Sequence, residues 1–229
     1  MFSFNKAYNA CQDFFVKHIY GDHNKSFKVK AAIAKLISDM PDGFTGLNIG
    51  AGRTNVHKNI KNLELEPGLN IDYVGSVLAI PCSDDEFNIV LAQEVLEHVE
   101  SPRAAISEIH RVLKAKGYFY LQLPFIIGYH PCPHDYWRFT HQGIRELLQE
   151  HKFDIIDLDM SVGPAVGFYR ILVEFLALCF SVGIAFLYKP AKLVFSVLCF
   201  PIKLLDPLLM HSKEANRIAG GFYVVGRKK

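Results

Sequence analysis

Three short stretches concentrate the residues able to do chemistry. "LNIGAGRTN", Leu47 to Asn55, reads as a strand that stops on two glycines set one residue apart, Gly50 and Gly52. Such a turn brings bare backbone against a ligand, and nicotinamide dinucleotides, flavins and S-adenosylmethionine all use one. "EVLEHV" places Glu94, Glu97 and His98 at i, i+3 and i+4, which on a helical turn is a single face. Two carboxylates and an imidazole there could hold a divalent cation such as Mg. "YHPCPHDYWRFT" contributes His130, His134 and Asp135, which with His98 are the candidates for taking a proton from an acceptor.

The glycine spacing discriminates among ligands. A dinucleotide fingerprint needs a third glycine three residues beyond Gly52 and an acidic residue about 20 positions further on. Position 55 is Asn, and the first acidic residue, Glu64, comes sooner. A dinucleotide is thereby disfavoured. Eleven residues separate Gly52 from Glu64, too few for a regular helix between two strands, so a loop is expected. Glu64 ends a strand beside the turn, where a carboxylate can accept from both hydroxyls of a ribose.

These residues need a scaffold, and the chain alternates strand and helix patterns. "GLNIG", "KNLELE", "IDYVG", "FNIVLAQ" and "GYFYLQLPF" are short, branched or aromatic runs bounded by Gly, Pro or Asp, and read as strands. "SPRAAISEIHRVLKAKG" reads as a helix with Ser101 as N-cap, Pro102 at the first position and Gly117 closing a lysine-rich last turn. A second helix opens at Thr140 and hands over to the strand "FDIIDLDM"; "GGFYVVGRKK" is a last strand, and "FKVKAAIAKLISDM" an N-terminal helix. The pattern implies a mostly parallel sheet with ligands at the carboxyl ends of its strands.

Composition narrows the partners. At 229 residues, half of them hydrophobic, the chain can bury a full core. A net charge of +2 with no basic stripe makes nucleic acid an unlikely partner. Five cysteines without CxxC spacing suggest neither a disulfide framework nor a zinc knuckle, and suit a reducing cytosol. The N-terminus lacks the pattern of a secretory signal.

Taken with "LELEPG", "VGSVLAIPCSDDEFNIVLAQEVLEHVESPRAAISEIHRVLKAKG" and "PHDYWRFT", the glycine turn resembles the class I S-adenosylmethionine-dependent methyltransferases of the type 11 subgroup, over about Gly46 to Asp159 and the final strand. The resemblance implies an α/β, Rossmann-like methyltransferase sheet, mostly parallel with an antiparallel last strand. It implies that Gly50, Ala51 and Gly52 face the methionine part of the cofactor, Glu64 the ribose, Ser76 and Val77 the adenine, and that Gln93 lines the site. Two positions depart from the family: Asn48 stands where an acidic residue is often found in the first strand, and Ser76 where the adenine-side Asp usually is. His130, Tyr136, Trp137 and Arg138 are the expected substrate contacts. The Glu-x-x-Glu-His pattern is similar to the metal site of small-RNA terminal 2′-O-methyltransferases and of ubiquinone-pathway O-methyltransferases, with His130 or His134 as a further ligand.

Before the last strand comes an apolar insertion, so the expected organisation is an N-terminal helical region (1–45), a methyltransferase domain (46–164 and 217–229) and a hydrophobic helical insertion (165–216). "ILVEFLALCFSVGIAFLY" carries one charge in 18 residues, and its eleven Leu, Ile, Val and Phe at about −0.3 to −0.6 kcal/mol each outweigh one Glu at roughly +3. Membrane affinity is expected but a simple span is not, because the flanking strands must share one sheet and "LVFSVLCFPI" is too short at ten residues to cross back. A hairpin dipping into one leaflet through 171–205 is expected. Its polar or small stripe, Arg170, Glu174, Ala177, Ser181, Ala185 and Tyr188, would face the enzyme, and Lys189, Lys192 and Lys203 would meet anionic headgroups. A lid or dimer interface is the competing reading.

The expected function is methyl transfer to a small-molecule, lipid-linked or glycan-precursor acceptor, at a hydroxyl oxygen, by a cytoplasmic protein lying peripherally or monotopically on the inner face of the membrane. The alternative is a non-catalytic membrane-associated module with a degenerate methyltransferase fold.

Overall fold

The computed structural model describes residues 26–52 and 54–229, so most of the expected 1–45 helical region lies outside the described residues. The chain divides into two compact units. One comprises residues 28–125, 129–161 and 221–229; the other includes 126–128 and 162–220.

The larger unit is built on a seven-stranded sheet: β1 (Gly46–Ile49), β2 (Ile60–Glu64), β3 (Tyr73–Val74), β4 (Phe87–Gln93), β5 (Leu113–Pro124), β6 (Phe153–Val162) and β7 (Gly221–Lys228). The strand order is β3-β2-β1-β4-β5-β7-β6. β1 pairs in parallel with β2 and β4, β4 with β5, and β2 with β3, whereas β7 runs antiparallel to β5. This is the expected Rossmann-like methyltransferase sheet, mostly parallel with an antiparallel last strand.

One face of the sheet changes character along the strands. Near the amino ends Ile60 and Ile89 flank Gly46, and with Leu91, Tyr120, Tyr223 and Val225 they form a core with Val29 and Leu36 of helix α1 (Phe27–Ser38). Near the carboxyl ends the same face carries Asn48, Asn62, Glu64, Gln93 and Gln122. Strand side chains alternate between faces, so an apolar floor and a polar rim share one surface, and the rim is where a ligand meets the sheet. Helices α2 (Pro102–Val112) and α3 (His141–Glu150) pack on the sheet through ring contacts of His110 with Phe153 and of His141 with Phe222.

Both expected N-caps are present. The Ser101 hydroxyl accepts from Ala104 N at 3.3 Å, and that of Thr140 from Gly143 N at 3.0 Å. Gly117 does not close α2, which ends at Val112. The last carbonyls of the helix, those of Arg111 and Val112, accept from the backbone N–H groups of Asp85 and Glu86, and Leu113 then pairs with Phe87 in the sheet. Strand pairing stops the helix before its lysines. Between β1 and β2 the described residues form no regular helix, as the short interval to Glu64 predicted.

In the second unit α4 (Pro164–Phe180) and α5 (Tyr188–Leu198) are followed by the short α6 (Asp206–Leu209). The apolar run 171–188 breaks at Ser181–Gly183, where Gly183 adopts φ +76°, and no helix of the described residues is long and apolar enough to cross a membrane. The small stripe of α4 is turned toward α5: Ala177 and Ser181 are buried, and the Glu174 carboxylate accepts from Tyr188 Oη and Lys192 Nζ. Lys192 and Lys203 are therefore not the expected headgroup anchors. Lys203 is buried over the rings of Tyr169 and Phe200, each centroid 5.3 Å from Nζ, while Lys189 remains exposed. Phe175, Leu178, Phe180, Val182, Phe186 and Leu198 point large apolar groups into solvent.

Candidate active site

The glycine turn follows β1 directly. Gly50 and Gly52 have φ of +64° and +58°, a region costly for residues with a Cβ. A Cβ on Gly50 would meet Val95 Cγ2 at 2.5 Å, whereas the space above Gly52 is open. Gly52 donates its N–H to Glu64 Oε1 at 2.5 Å, so the strand-end carboxylate and the turn, far apart in sequence, meet. Gly75 N donates to the Glu64 carbonyl at 2.8 Å, which brings Ser76 and Val77 alongside.

The segment after Ser76 is held from behind. The Arg111 guanidinium donates to the carbonyls of Ile80 and Cys82 and to Asp84 and Glu108, each at 2.8 Å, and Glu108 accepts from Ile80 N. The Glu108 carboxyl is held below its ordinary range by Arg111. Gln93 closes β4 opposite Gln122.

Beyond Gln93 the chain does not form the helical face that the spacing suggested. Glu94 has φ +55°, donates its N–H to the Gln122 carbonyl, and its Oε1 accepts from Gln122 Nε2 at 2.8 Å. Only then does a short 3-10 turn, Leu96–His98, begin. Glu94 is accordingly drawn to β5, and the group that could hold a cation is Glu97, His98 and His130, whose ligand atoms all lie within 4.8 Å of one another. His130, rather than His134, is the histidine that joins them.

The Glu97 side chain is completely buried, and neither of its oxygens has a hydrogen-bond partner among the described residues. Its Oε1 lies 3.7 Å from His98 Nε2 and 3.8 Å from His130 Nε2, too long for hydrogen bonds. His98 Nδ1 lies 2.5 Å from the His134 carbonyl, which can only accept, so Nδ1 carries a proton and Nε2 is the ring nitrogen that faces Glu97.

The "PHDYWRFT" loop is laced to this turn. Tyr136 N donates to the Glu97 carbonyl and Trp137 Nε1 to that of Val99. Asp135 accepts from both terminal nitrogens of Arg138, at 2.6 and 2.7 Å, and from His130 N. The Arg138 hydrogen bonds hold the Asp135 carboxyl well below the usual carboxylate range, which makes it a poor proton acceptor and a firm brace. His134 stacks loosely against Tyr136 and its ring takes no part in the Glu97 group.

Sequence reasoning missed Asn62 and Arg111. Asn62 carries a readable signal, a polar residue at an inward position of β2; Arg111 on α2 shows only its i,i+3 pairing with Glu108, while its contacts with Ile80, Cys82 and Asp84 belong to a loop distant in sequence.

Comparison with known proteins places this architecture. Residues 33–121 match the family model of a methyltransferase domain, type 11. No curated protein matches the sequence significantly. Among solved structures, the chain is similar to phosphoethanolamine N-methyltransferase 2 of Haemonchus contortus in complex with S-adenosyl-L-methionine, at 15% identity and TM-score 0.56 over 95% of this chain and 59% of that one. It is also similar to the 1,6-didemethyltoxoflavin-N1-methyltransferase of Burkholderia thailandensis, at 14% identity and TM-score 0.55 over 99% and 86% of the two chains. The cyclase SpnF shares the fold too, at 19% identity and TM-score 0.55 over 88% and 80%. Residues 33–121 thus carry a methyltransferase domain, set in the Rossmann-like methyltransferase fold that these solved structures share.

Proposed function

We propose that the acceptor is a small molecule, lipid-linked intermediate or glycan precursor, methylated at a hydroxyl oxygen at the cytoplasmic face of a membrane. The supporting observation for the cofactor is the contact of Gly52 N–H with Glu64 beside the open space over Gly52. S-adenosylmethionine would supply a methyl group on a sulfonium, ready for in-line displacement. Gly50, Ala51 and Gly52 would line the methionine part, Glu64 would accept the ribose hydroxyls, and Ser76, Val77 and Gln93 would bound the nucleoside. Positioning of this kind is worth roughly 7–11 kcal/mol of barrier, against a factor of about 10²–10⁴ from a general base.

For the proton, the Glu97, His98 and His130 group supports a divalent cation. One carboxylate and two imidazoles suit Mn or Zn better than Mg, which prefers an all-oxygen shell. The His134 carbonyl on His98 Nδ1 is an outer partner of the kind that orients a metal-binding imidazole, and His130 Nδ1 is faced by Arg138 Nη2 at 3.4 Å, so its Nε2 is the nitrogen on the Glu97 side. A cation there would acidify the acceptor hydroxyl. His130, Tyr136, Trp137 and Arg138 would contact the acceptor.

Membrane contact is supported by the exposed apolar side chains of the second unit, through 171–205, and by the internal neutralisation of Glu174. The test is incubation of the protein and methyl-labelled cofactor with membrane and soluble extracts. Label is expected in the lipid fraction, lost with a chelator and restored by Mn or Zn. Label confined to the soluble fraction would overturn the membrane reading, and chelator-insensitive transfer the metal.

A further inference from the structure

We propose that Asn48 and Asn62 are a matched pair of positioning residues, in which Asn62 anchors the loop behind the glycine turn and Asn48 is the donor that Asn62 requires. The inference rests on the cofactor reading above and concerns how this chain shapes that site.

Asn48 and Asn62 are direct partners across the β1–β2 pairing, and both are buried. Asn62 Nδ2 lies 2.8 Å from Asn70 O, 2.9 Å from Asn55 Oδ1 and 3.3 Å from Thr54 O. Two of these three are backbone carbonyls, which only accept, so the nitrogen of the Asn62 amide must face them. Its Oδ1 is thereby directed at position 48 and needs a donor there, which Asn48 Nδ2 provides at 3.2 Å. An aspartate at 48 would set a carboxylate against that oxygen. The backbone of Asn62 adds two more ties, donating to Asp72 Oδ2 at 2.9 Å and accepting from Asp72 N at 3.0 Å.

One buried amide thus fastens Thr54 and Asn55, which follow Gly52, to the segment at Asn70–Asp72 that leads into β3. Thr54 N in turn donates to Ala51 O at 3.0 Å, so the anchor reaches the turn itself. Where the family resemblance makes Asn48 a departure, the geometry makes it the complement of Asn62. Restoring an acid at 48 forces the Asn62 amide to flip, and its oxygen then faces the carbonyls of Thr54 and Asn70.

Two isosteric variants test the pair, Asn48→Asp and Asn62→Asp, each keeping the side-chain shape. Cofactor affinity by calorimetry should fall roughly 5- to 100-fold in both, the range for an unsatisfied buried polar group. KM for the cofactor should rise in step while kcat at saturation changes by less than about 3-fold, the mark of lost uniform binding. Amide exchange of 51–56 in ligand-free protein should accelerate in both variants, with the β4 amides as a folding control. This readout stands even if the wild-type chain binds no S-adenosylmethionine, an outcome that would fail the cofactor reading instead. Tighter cofactor binding by Asn48→Asp, or unchanged exchange across 51–56 in Asn62→Asp, would overturn the pairing. Should Asn62→Asp fail to fold, Asn48→Asp decides by the same two measurements.

Discussion

Gly52 and Glu64 meet through a 2.5 Å hydrogen bond in which the backbone N–H of the turn donates to the carboxylate that ends β2. The contact fixes one carboxylate oxygen, while the other has, among the described residues, a long 3.4 Å contact to Leu65 N. Glu64→Gln keeps the shape and replaces one acceptor with a donor. Hydrogen bonds to a charged group contribute about 1.5–3 kcal/mol, so cofactor affinity should fall roughly 10- to 150-fold, read by calorimetry. An affinity within about 2-fold of wild type would remove Glu64 from the ribose.

The two glycines of the turn should not tolerate a methyl group equally. Both backbones are left-handed, at a cost of about 1–2 kcal/mol for alanine. Gly50→Ala adds a collision with Val95, whereas Gly52→Ala meets nothing within 4 Å. Thermal denaturation should therefore show a larger loss for Gly50→Ala. Equal losses would mean that the chain behind Val95 yields.

Much of this architecture is legible in the residues. Ser101 and Thr140 announce their helices because a hydroxyl before a helical run satisfies orphan N–H groups, a local effect. The loop between Gly52 and Glu64 follows from length alone. Gly117 misleads because α2 is stopped by pairing of Leu113 with Phe87, a contact invisible in a window around the helix. Glu94 misleads in the same way: its left-handed backbone and its bond to Gln122 come from a strand distant in sequence, so i, i+3, i+4 spacing never applies. His130 joins Glu97 and His98 across an interval that no local pattern encodes.

Glu97 offers a test with opposite signs. A buried carboxylate without a hydrogen-bond partner is costly unless a cation sits against it. Glu97→Gln should leave the metal-free protein as stable as wild type or more so. It should also abolish the stabilisation that Mn or Zn gives wild type, about 2.7 kcal/mol at a hundredfold excess over Kd. Chemical denaturation with and without each cation measures both. Metal stabilisation that persists in the variant would place the ion elsewhere.

Lys203 gives the second unit a pH signature. Burial lowers its ammonium to about 8. An unfolded lysine holds its proton to about 10.4, so between these values the unfolded chain binds more protons and stability rises with pH. Below about 8 this contribution is flat, since both states are protonated. Urea midpoints of wild type minus Lys203→Met, followed from about pH 7.5 to 10.5, should climb through that window. A constant difference would mean that the lysine titrates normally in the fold.

Arg111 carries one more consequence. A guanidinium keeps its proton at every acidity a cell meets, and Glu108 and Asp84 raise its hold further. The buttress it forms under Ile80 and Cys82 therefore neither slackens in acid nor in alkali. The segment from Ser76 to Cys82 is thus braced by a charge that does not titrate across that range.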